Sequence, residues 1–428
     1  MRHTLLLRRP DHVVQALVLL LTGLLFLTAG CTAAPTVSKT AADAVWPLSF
    51  DQVVPLSTPA WQLVGSRLQS IMSTVGTRFP HITENHIWQT SGTGDWTGGF
   101  FVGELWLMAA EAEKRNDPLA AVWRSQALTW TRRLEQRITD TGTHDLGFLF
   151  MPSWVEAYRQ TGDERWRIGA LQAAESLSKR YTPGGFIQSW GKIGEPPYAG
   201  TVIIDNMMNL ALLYWAAEEG NRPEYAQMAT SHALLTQQSH IRADYGTFHL
   251  VDFDRDTGVM LRGRTSQGLH DNSTWARGQA WGIAGFALVY RYTHNPEFLA
   301  VAERLADYFL AHLPPDHVAP WDLHAGAGAK KDTSANAITA FGLLAIANSL
   351  RQLGETTRAD VRAAQARRLL EALHPYSIFA NETLRTKGGL LTGGTYNYNA
   401  DRAVEQSVVW GDYYYLKALL DLAAYEAK

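Results

Sequence analysis

Residues 298–309 read FLAVAERLADYF, and the spacing of their apolar side chains predicts a helix. Phe298, Ala302, Leu305 and Phe309 follow one another at intervals of four, three and four residues. On an α-helix these intervals place all four side chains on the same face. The stretch therefore predicts an amphipathic helix that buries one side against the rest of the protein.

The same spacing recurs in the first half of the chain. The apolar stripe there consists of Trp123, Ala127, Trp130, Leu134 and Ile138. It predicts a second amphipathic helix with one buried face. Helical periodicity dominates the chain, which indicates a fold built mainly of helices.

Short turn signals lie between the helical stretches and combine Gly, Asn, Asp and Pro. They occupy residues 115–118, 161–163, 219–221, 293–296 and 353–355. Each interval is long enough for two helices and a variable connection, which is typical of stacked helical hairpins. We expect the longer connections to lie at the opposite end from these turns, with the pocket and with strand-like pieces such as 246–253.

The number of hairpins favours a closed ring. An open solenoid needs capping repeats, whereas a closed ring of about six hairpins does not. Residues 46–428 contain no second linker, charge run or low-complexity stretch. We therefore predict one all-α domain over 46–428, an α/α toroid with short β pieces in the loops at the pocket end.

The first thirty residues have the pattern of an export signal. A basic segment with Arg2, Arg8 and Arg9 precedes an apolar run from Ala16 to Gly30, as in a secretory signal. The sequence LTAGC at 27–31 resembles the lipobox of bacterial lipoproteins, in which the signal is cut before a lipid-modified cysteine. The alternative is a transmembrane anchor, but the run is short for a ~30 Å hydrocarbon core.

Cys31 is the only cysteine in the chain, so the protein has no intramolecular disulfide. We predict a signal peptide at 1–30 and a lipidated Cys31 followed by a flexible tether, together 31–45. Residues 32–45 are small, polar and Pro-containing, as in a tether. Thr32 resembles the outer-membrane sorting pattern, which predicts a lipoprotein facing the periplasm or the cell surface.

Composition limits the classes of partner. The net charge is −3 and there is no basic block, which argues against nucleic acid as a partner. The chain has 15 Trp and 16 Tyr, which suit large cores, sugar-binding walls or both. The sequence contains no HExxH zinc motif and no Cys/His pair, and we predict no metal and no cofactor. It also lacks the GxSxG elbow of serine hydrolases.

Asp205 is the strongest candidate for acid catalysis. It follows the apolar run Val202 to Ile204 and precedes Met207 and Met208. Apolar surroundings resist ionisation and raise the pKa of a carboxyl group, more so beside a second carboxylate. The alternative is that Asp205 simply caps a helix that begins at Asn206.

Asp145 is the candidate for that second carboxylate. The His144-Asp145 pair precedes a Gly-containing apolar stretch and could equally form a loop with Asx-type hydrogen bonds. If Asp145 and Asp205 stand on successive hairpins, they can converge on one pocket. Two convergent carboxyl groups are what general acid and base chemistry on glycans requires.

Several polar and aromatic side chains are candidates for binding a sugar acid. Trp96, Trp275 and Trp281 offer flat apolar faces, although core packing is the alternative for each. Arg277 suits bidentate recognition of a carboxylate, or else a structural ion pair with an inward acid such as Asp271. His249 and Gln267 are either pocket donors or ordinary satisfied polar groups.

Together these motifs resemble glycoside hydrolase family 88, the unsaturated glucuronyl hydrolases. The resemblance runs in order from Trp96 to Leu420 and rests on motifs rather than on single residues. The motifs are HDLGF at 144–148, IDNMMNL at 204–210, the strand with His249, SQG at 266–268, WARGQAWGI at 275–283, DTSA at 332–335 and VVWGDYY at 408–414.

The resemblance implies an (α/α)6 barrel that acts on unsaturated uronate-containing oligosaccharides left by polysaccharide lyases. In this family an Asp protonates C4 of the vinyl ether, water adds at C5, and the hemiketal opens to release the sugar. Asp205 would be the proton donor and then the water activator, and Asp145 would orient the substrate or Asp205. The substrate side would include Trp96, His249, Gln267, Trp275, Arg277 and Trp281.

Three alternatives remain open. The related unsaturated rhamnogalacturonyl hydrolases share the fold, but Gln279-Ala280 favours the glucuronyl branch. A non-catalytic glycan-binding lipoprotein would not need both Asp145 and Asp205. A helical-repeat scaffold would leave the polar glycine-rich segments unexplained. Residues 393–399 contain no Lys, which speaks against sulfated substrates within the family.

Overall fold

Helices alternate with connections of two lengths. The computed structural model describes residues 46–54 and 56–428, which all belong to one compact unit, Ser38–Lys428. The helices are α1 (Phe50–Val53), α2 (Thr58–Val75), α3 (Gly98–Lys114), α4 (Ala120–Arg132), α5 (Leu146–Phe150), α6 (Glu156–Thr161), α7 (Glu164–Ser178), α8 (Asn206–Glu219), α9 (Pro223–Ser239), α10 (Ala276–Thr293), α11 (Pro296–Ala311), α12 (Thr333–Gln352), α13 (Thr356–Leu373) and α14 (Val409–Glu426). A π-helix, Met151–Val155, joins α5 to α6.

The five predicted turns are confirmed. They join α3 to α4, α6 to α7, α8 to α9, α10 to α11 and α12 to α13. Each is short because Gly, Asn or Pro stops one helix and starts the next; Pro296 is at the start of α11 and the Asn295 side chain caps it. The long connections all lie at the other end, as expected.

The helices form two concentric rings. The inner ring consists of α3, the α5–α6 segment, α8, α10, α12 and α14, each packed on the next, and α14 packs on α3 to close it. The outer ring consists of α2, α4, α7, α9, α11 and α13. The predicted closed toroid is therefore confirmed as an (α/α)6 barrel. Helix α12 is also long and apolar enough to cross a membrane, but 89% of its most apolar 18-residue stretch is buried in the barrel.

The outer helices bury one stripe each. Phe298, Ala302, Leu305 and Phe309 are all fully buried in α11, as predicted. The stripe that begins at Trp123 differs from the prediction, because α4 ends at Arg132. Leu134 and Ile138 are buried, but they flank a short 3₁₀ helix, Glu135–Arg137.

Five strands lie in the long connections, where strand pieces were expected. β1 (Phe79–Glu84) and β2 (Ile87–Ser91) form a hairpin. β3 (Thr201–Ile203), β4 (Leu250–Phe253) and β5 (Met260–Arg264) form an antiparallel sheet in that order. Only the second half of the predicted 246–253 strand is regular. The predicted signal peptide 1–30, Cys31 and the tether up to residue 45 lie outside the described residues.

Two acids are buried where the inner ring closes. Glu104 of α3 and Asp412 of α14 are each at most 1% exposed. Burial raises the pKa of Asp412 to about 7, and burial together with Asp412 raises the pKa of Glu104 well above its usual value. The folded protein therefore holds protons here that the unfolded chain releases.

This buried pair predicts a loss of stability as the pH rises. Because both pKa values are raised, stability is fully present below about pH 4, the unfolded value. It declines from there to about pH 7, because the unfolded chain releases the proton that Asp412 keeps in the folded protein. We expect Asp412→Asn to gain about 1 kcal/mol or more relative to the wild type between pH 4 and pH 8. Urea unfolding of both proteins at the two pH values measures this; a difference that does not depend on pH would contradict it.

Candidate active site

The inner helices all begin at the end of the barrel that carries the long connections. Their first turns direct backbone N–H groups and the positive ends of the helix dipoles towards that end, which favours an anionic ligand there. Asp145, Asp205, Trp275 and Asp332 occupy the N-cap positions of α5, α8, α10 and α12. The geometry thus brings predicted site residues from distant parts of the sequence to one end of the ring.

Asp205 stands at the start of α8, but it does not cap the helix with its side chain. Helix α8 begins at Asn206, and Asp205 makes no side-chain capping bond. Its Oδ1 is buried and has no hydrogen-bond partner among the described residues, although the residue keeps some exposure. The capping alternative is therefore wrong for the side chain.

The surroundings of Asp205 favour its protonated form. Burial raises the pKa of this carboxyl group well above its usual value, and the negative charge of Asp145 raises it further. Arg277 and the backbone N–H groups of Asp205 and Asn206 oppose the rise but do not cancel it. Asp205 can therefore hold a proton at a pH where an exposed Asp would have lost it.

Asp145 is held as an acceptor by its neighbours. The Thr143 hydroxyl donates to Asp145 Oδ2 at 2.6 Å, and His144 Nε2 lies 3.3 Å from Oδ1. His144 is buried, and burial lowers its pKa. Asp145 forms no Asx-type bond to a backbone N–H among the described residues; instead, the Thr143 hydroxyl accepts from the Asp145 backbone N–H at 3.1 Å.

A glycine contact brings the two carboxyl groups together. Helices α5 and α8 pack so closely that a Cβ on Gly147 would lie 2.4 Å from Asn209 Cα. The Asn209 side chain fixes the register, because its Oδ1 accepts from the Phe148 backbone N–H at 2.8 Å. Asp145 and Asp205 are thereby held at adjacent helix starts.

Gly147→Ala is expected to separate these helices. The methyl group must displace α8 backbone, which costs roughly 1 to 3 kcal/mol of stability by overpacking and moves Asp145 away from Asp205. We expect lower unfolding midpoints in urea and a lower kcat. Gly326→Ala is the matched control, because nothing lies within 4 Å of a Cβ there. Equal stability of the two variants would contradict the close packing.

The pairing of β3 with β4 places His249 beside Asp205. β3 leads directly to Asp205, and its antiparallel partner β4 begins just after His249, so that the Ile204 N–H donates to the His249 carbonyl at 3.0 Å. The backbone N–H groups of Ser266 and Gln267 donate to His249 Nδ1 at 3.1 and 3.2 Å. The proton of the neutral ring is therefore on Nε2.

The Nε2–H of His249 is an unused donor. Nε2 is buried and makes no hydrogen bond with any residue in the described part of the chain. Burial lowers the pKa of His249 well below its usual value, and Arg277 and Arg264 lower it further, so the ring stays neutral. A buried donor without a partner next to Asp205 is available to a substrate oxygen.

His249→Asn separates the two functions of this ring. The Asn side-chain oxygen can replace Nδ1 as the acceptor for Ser266 and Gln267, while the donor at Nε2 is lost. We expect wild-type stability and a kcat/KM lower by roughly tenfold, the value of one hydrogen bond of ~1.4 kcal/mol. Steady-state kinetics with a parallel thermal melt measure this; unchanged kcat/KM would rule out the donor role.

Arg277 is buried and bonded to protein acceptors. It is 1% exposed and forms an ion pair with Asp332, which is fully buried. Its guanidinium also donates to the carbonyls of Thr395 and Tyr396 at 2.6 and 2.7 Å and to Gln267 Oε1 at 2.9 Å. The structural ion pair considered from sequence is thus present, with Asp332 and not with Asp271.

The Asp271 side chain has a different role. Its Oδ1 accepts from the Thr265 backbone N–H at 2.9 Å, in the loop that holds His249. The four bonds of the Arg277 guanidinium use both N–H groups of Nη1 and both of Nη2. Direct contact of Arg277 or Gln267 with substrate stays a prediction.

The three predicted tryptophans have different environments. Trp96 is partly exposed and packs on Trp410 and Phe148, at ring distances of 4.8 and 5.7 Å. Trp275 is 3% exposed and lies between His249, at 4.4 Å, and the Arg277 guanidinium, at 4.5 Å. Trp96 keeps the surface that a sugar ring needs.

Trp281 lies deeper than the other two rings. It is 1% exposed and packs on Phe148 and Tyr414 at 5.0 and 5.4 Å. The core-packing alternative describes this ring in the structure, and its contact with substrate stays a prediction. The six-residue spacing from Trp275 arises because Trp275 precedes helix α10, whereas Trp281 is within it.

Three further residues lie beside the predicted ones and were not named as site candidates, although Asp332 and Tyr396 fall within the quoted stretches 332–335 and 393–399. Asp332 holds Arg277, as described above. Trp190 lies 6.4 Å from His249 between ring centroids and is partly exposed. Tyr396 stacks on Trp96 at 6.3 Å and borders Arg277. Trp190 and Tyr396 sit in irregular connections, where no periodic pattern marks them.

Known proteins resemble this chain over most of its length. The pattern of the Glycosyl Hydrolase Family 88 matches residues 69–348. The unsaturated glucuronyl hydrolase of Bacillus sp. (strain GL1) is 37% identical over 354 residues, 81% of this chain and 91% of that protein. The unsaturated chondroitin disaccharide hydrolase of Streptococcus pneumoniae (strain ATCC BAA-255 / R6) is 35% identical over 342 residues, 79% of this chain and 84% of that protein.

Crystal structures of unsaturated glucuronyl hydrolases superpose on this protein over most of its length. The crystal structure of the Bacillus sp. GL1 enzyme superposes with a TM-score of 0.77 and 36% identity, over 84% of this chain and 96% of that one. An unsaturated glucuronyl hydrolase specific for heparin superposes with a TM-score of 0.76 and 29% identity, over 86% and 98%. The chain therefore belongs to glycoside hydrolase family 88.

Proposed function

We propose that the protein removes the 4,5-unsaturated glucuronate from the non-reducing end of oligosaccharides that polysaccharide lyases produce. The observation that carries the proposal is the buried Oδ1 of Asp205, which has no hydrogen-bond partner among the described residues and lies where burial and Asp145 raise the pKa of the carboxyl group. The names of the relatives support the same class of reaction, since they are unsaturated glucuronyl and chondroitin disaccharide hydrolases.

The reaction starts with proton transfer. Asp205 gives its proton to C4 of the vinyl ether, and positive charge develops at C5 and the ring oxygen. The Asp205 carboxylate then takes a proton from water as the water oxygen bonds to C5, which returns Asp205 to its acid form. The C5 hemiketal opens by breaking its bond to the ring oxygen, which leaves a ketone at C5 and a hemiacetal at C1. The hemiacetal then breaks its bond to the glycosidic oxygen, which takes up a proton and leaves with the remaining sugar, and C1 becomes an aldehyde.

The other groups of the site position the substrate. Asp145 accepts a hydrogen bond from a sugar hydroxyl. Its negative charge also raises the pKa of Asp205, so that Asp205 keeps its proton until it is transferred to C4. His249 Nε2–H donates to a substrate oxygen, and Trp96 packs against a ring face. The helix N-termini favour the uronate carboxylate. No covalent intermediate with the enzyme is needed, because hydration of the double bond forms the hemiketal whose opening leads to release of the remaining sugar.

The leaving-group side favours substrates with little sulfate. Its segment 393–399 contains no Lys, and the nearby Lys330 is paired with Glu405 at 2.7 Å. A sulfate group would meet no free ammonium group from these residues. We therefore expect a higher kcat/KM for unsulfated unsaturated disaccharides than for the sulfated products of chondroitin or heparin.

An activity panel tests this proposal. Unsaturated disaccharides from hyaluronan, chondroitin, heparin, ulvan, xanthan and gellan lyases are mixed with the protein, and the absorbance of the conjugated double bond is followed. We expect the fastest decay on unsulfated substrates. Unsaturated products of a rhamnogalacturonan lyase are added as a comparison, and a decay confined to them would assign the protein to the neighbouring specificity. Binding without decay would make it a glycan-binding protein.

We infer from residues 27–45 that the protein is lipid-anchored at Cys31 and faces the periplasm or the cell surface of a bacterium. The LTAGC sequence and the following tether support this location. Labelling with radioactive palmitate tests it. The wild type should incorporate label, and Cys31→Ser should not; equal labelling of both would contradict the anchor.

A further inference from the structure

A second cavity lies within the inner ring, away from the proposed active site. It has a volume of about 220 Å³ and is lined by residues of all the inner elements, including Arg159 and Arg291 from the last turns of α6 and α10. It therefore opens towards the end with the short turns. Phe148 forms part of its wall and packs on Trp96 and Trp281, so an aromatic layer lies between this cavity and the substrate pocket.

The cavity contains hydrogen-bond donors that the protein does not use. Arg291, Tyr413 and Tyr414 line it, and none of their side chains makes a hydrogen bond or ion pair with the residues that the structure describes. Burial raises the pKa of both phenols, so they remain protonated donors. Tyr414 is only 5% exposed. Arg291 is exposed and Tyr413 is partly buried, so these donors are accessible to a ligand that enters the cavity from solvent.

The charges around the cavity leave one positive charge uncompensated. Arg159 lies 3.7 Å from Glu156, the acid in the lining, and Lys417 is bonded to Asp421 beside it. Arg291 has no such acid. Its place in the last turn of α10 is favourable for a cation, because the helix dipole is negative there. That location does not explain the two unused phenols.

We propose that this cavity is a second binding site, for a ring-sized organic molecule with a single carboxylate. Arg291 would bind the carboxylate, Tyr413 and Tyr414 would donate to its oxygens, and Phe100, Phe148 and Phe341 would contact the ring. The volume of about 220 Å³ is below the ~300 to 1,000 Å³ of sites for drug-sized ligands, which limits the occupant to about one ring. A single uronate and an aromatic carboxylate share this chemistry.

Two probes and one neutral control test the site in the full-length protein. Calorimetric titration with 4-bromobenzoate measures affinity, D-glucuronate is added as a competitor, and D-glucose is the uncharged control. Crystals soaked in 4-bromobenzoate locate the bromine by anomalous scattering. We expect bromine in the cavity beside Arg291, competition by glucuronate and none by glucose. Absence of competition by glucuronate would restrict the site to aromatic carboxylates and overturn the shared chemistry.

Matched variants assign the binding to this cavity. Arg291→Gln should weaken 4-bromobenzoate binding by roughly tenfold or more, as for one charge-assisted hydrogen bond. Ala211→Leu, which fills the cavity, should abolish it. Arg368→Gln is the control, since Arg368 is exposed on α13 and also lacks an ion pair in the described chain. Thermal melts confirm that each variant is folded.

Several outcomes would overturn the proposal. Bromine in the substrate pocket alone, a bromine peak without measurable affinity in solution, or equal binding by Arg291→Gln and wild type would each do so. If Arg291→Gln lowers the melting temperature and leaves binding unchanged, Arg291 only neutralises the end of α10. Loss of binding by Arg368→Gln as well would show a nonspecific charge effect.

Discussion

Asp205→Asn should fold like the wild type and lose catalysis by a factor of roughly 10² to 10⁴, the usual contribution of a general acid. The amide has nearly the same size and cannot give a proton to C4. Since Oδ1 has no hydrogen-bond partner among the described residues, the substitution breaks no bond at that atom. Single-turnover rates on the best disaccharide of the panel, with circular dichroism of both proteins, measure the effect. A kcat of Asp205→Asn close to that of the wild type would mean that another residue is the general acid.

The pH profile distinguishes an acid from a positioning group. Only protonated Asp205 can donate, and its pKa is raised by burial and by Asp145. In the wild type kcat/KM should therefore fall as the pH rises through this raised pKa. In Asp145→Asn, which removes the neighbouring negative charge, the fall should move to lower pH. A profile that is the same in both would mean that Asp145 does not act on Asp205.

Asp332→Asn should destabilise the protein by about 3 to 5 kcal/mol, because it leaves the buried Arg277 charge without a counterion. Asp332 Oδ1 also accepts from the backbone N–H groups of Ser334 and Thr395, and an amide oxygen can retain those bonds. The predicted loss thus comes mainly from the charge. Urea unfolding followed by tryptophan fluorescence measures it.

Asp271→Asn is the matched control for this substitution, because Asp271 is exposed and, among the described residues, accepts only from the Thr265 N–H. It should change stability by less than about 0.5 kcal/mol. The double variant Arg277→Gln with Asp332→Asn should lose less than the sum of the single variants, since no lone charge is left. If Arg277→Gln instead raised KM at unchanged stability, Arg277 would be a substrate ligand first.

Much of the barrel was predictable because its signals are local. The turns at 161–163 and 293–296 contain the residues that stop helices, and the stripe from Phe298 lies within a single helix. The stripe from Trp123 was overextended, since a 3₁₀ helix can continue an apolar spacing after α4 ends. The π-helix at Met151–Val155 has no periodic signature that distinguishes it from α-helix.

The sequence singled out two carboxyl groups that the structure places at adjacent helix starts, and their catalytic role stays a prediction. Asp145 and Asp205 are marked by their apolar neighbours and by motifs that resemble a family. The sequence suggested Asp271 as the counterion of Arg277, but the structure has Asp332 in that place. Asp332 lies 55 residues from Arg277 in sequence and approaches it only when the ring closes. Asp271 is nearer in sequence, but it is turned towards Thr265. Contacts between irregular connections that are distant in sequence produce no periodic pattern of residues, so they could not be predicted from the sequence.

The most direct test of the account is the fate of the double bond when the reaction runs in D₂O. If Asp205 protonates C4, proton and carbon NMR should show one deuterium at C4 of the released sugar and no remaining double bond, and Asp205→Asn should show neither within the same time. Release of a uronate that keeps its C4=C5 double bond and carries no deuterium would contradict the account, because it would mean ordinary cleavage at the anomeric carbon.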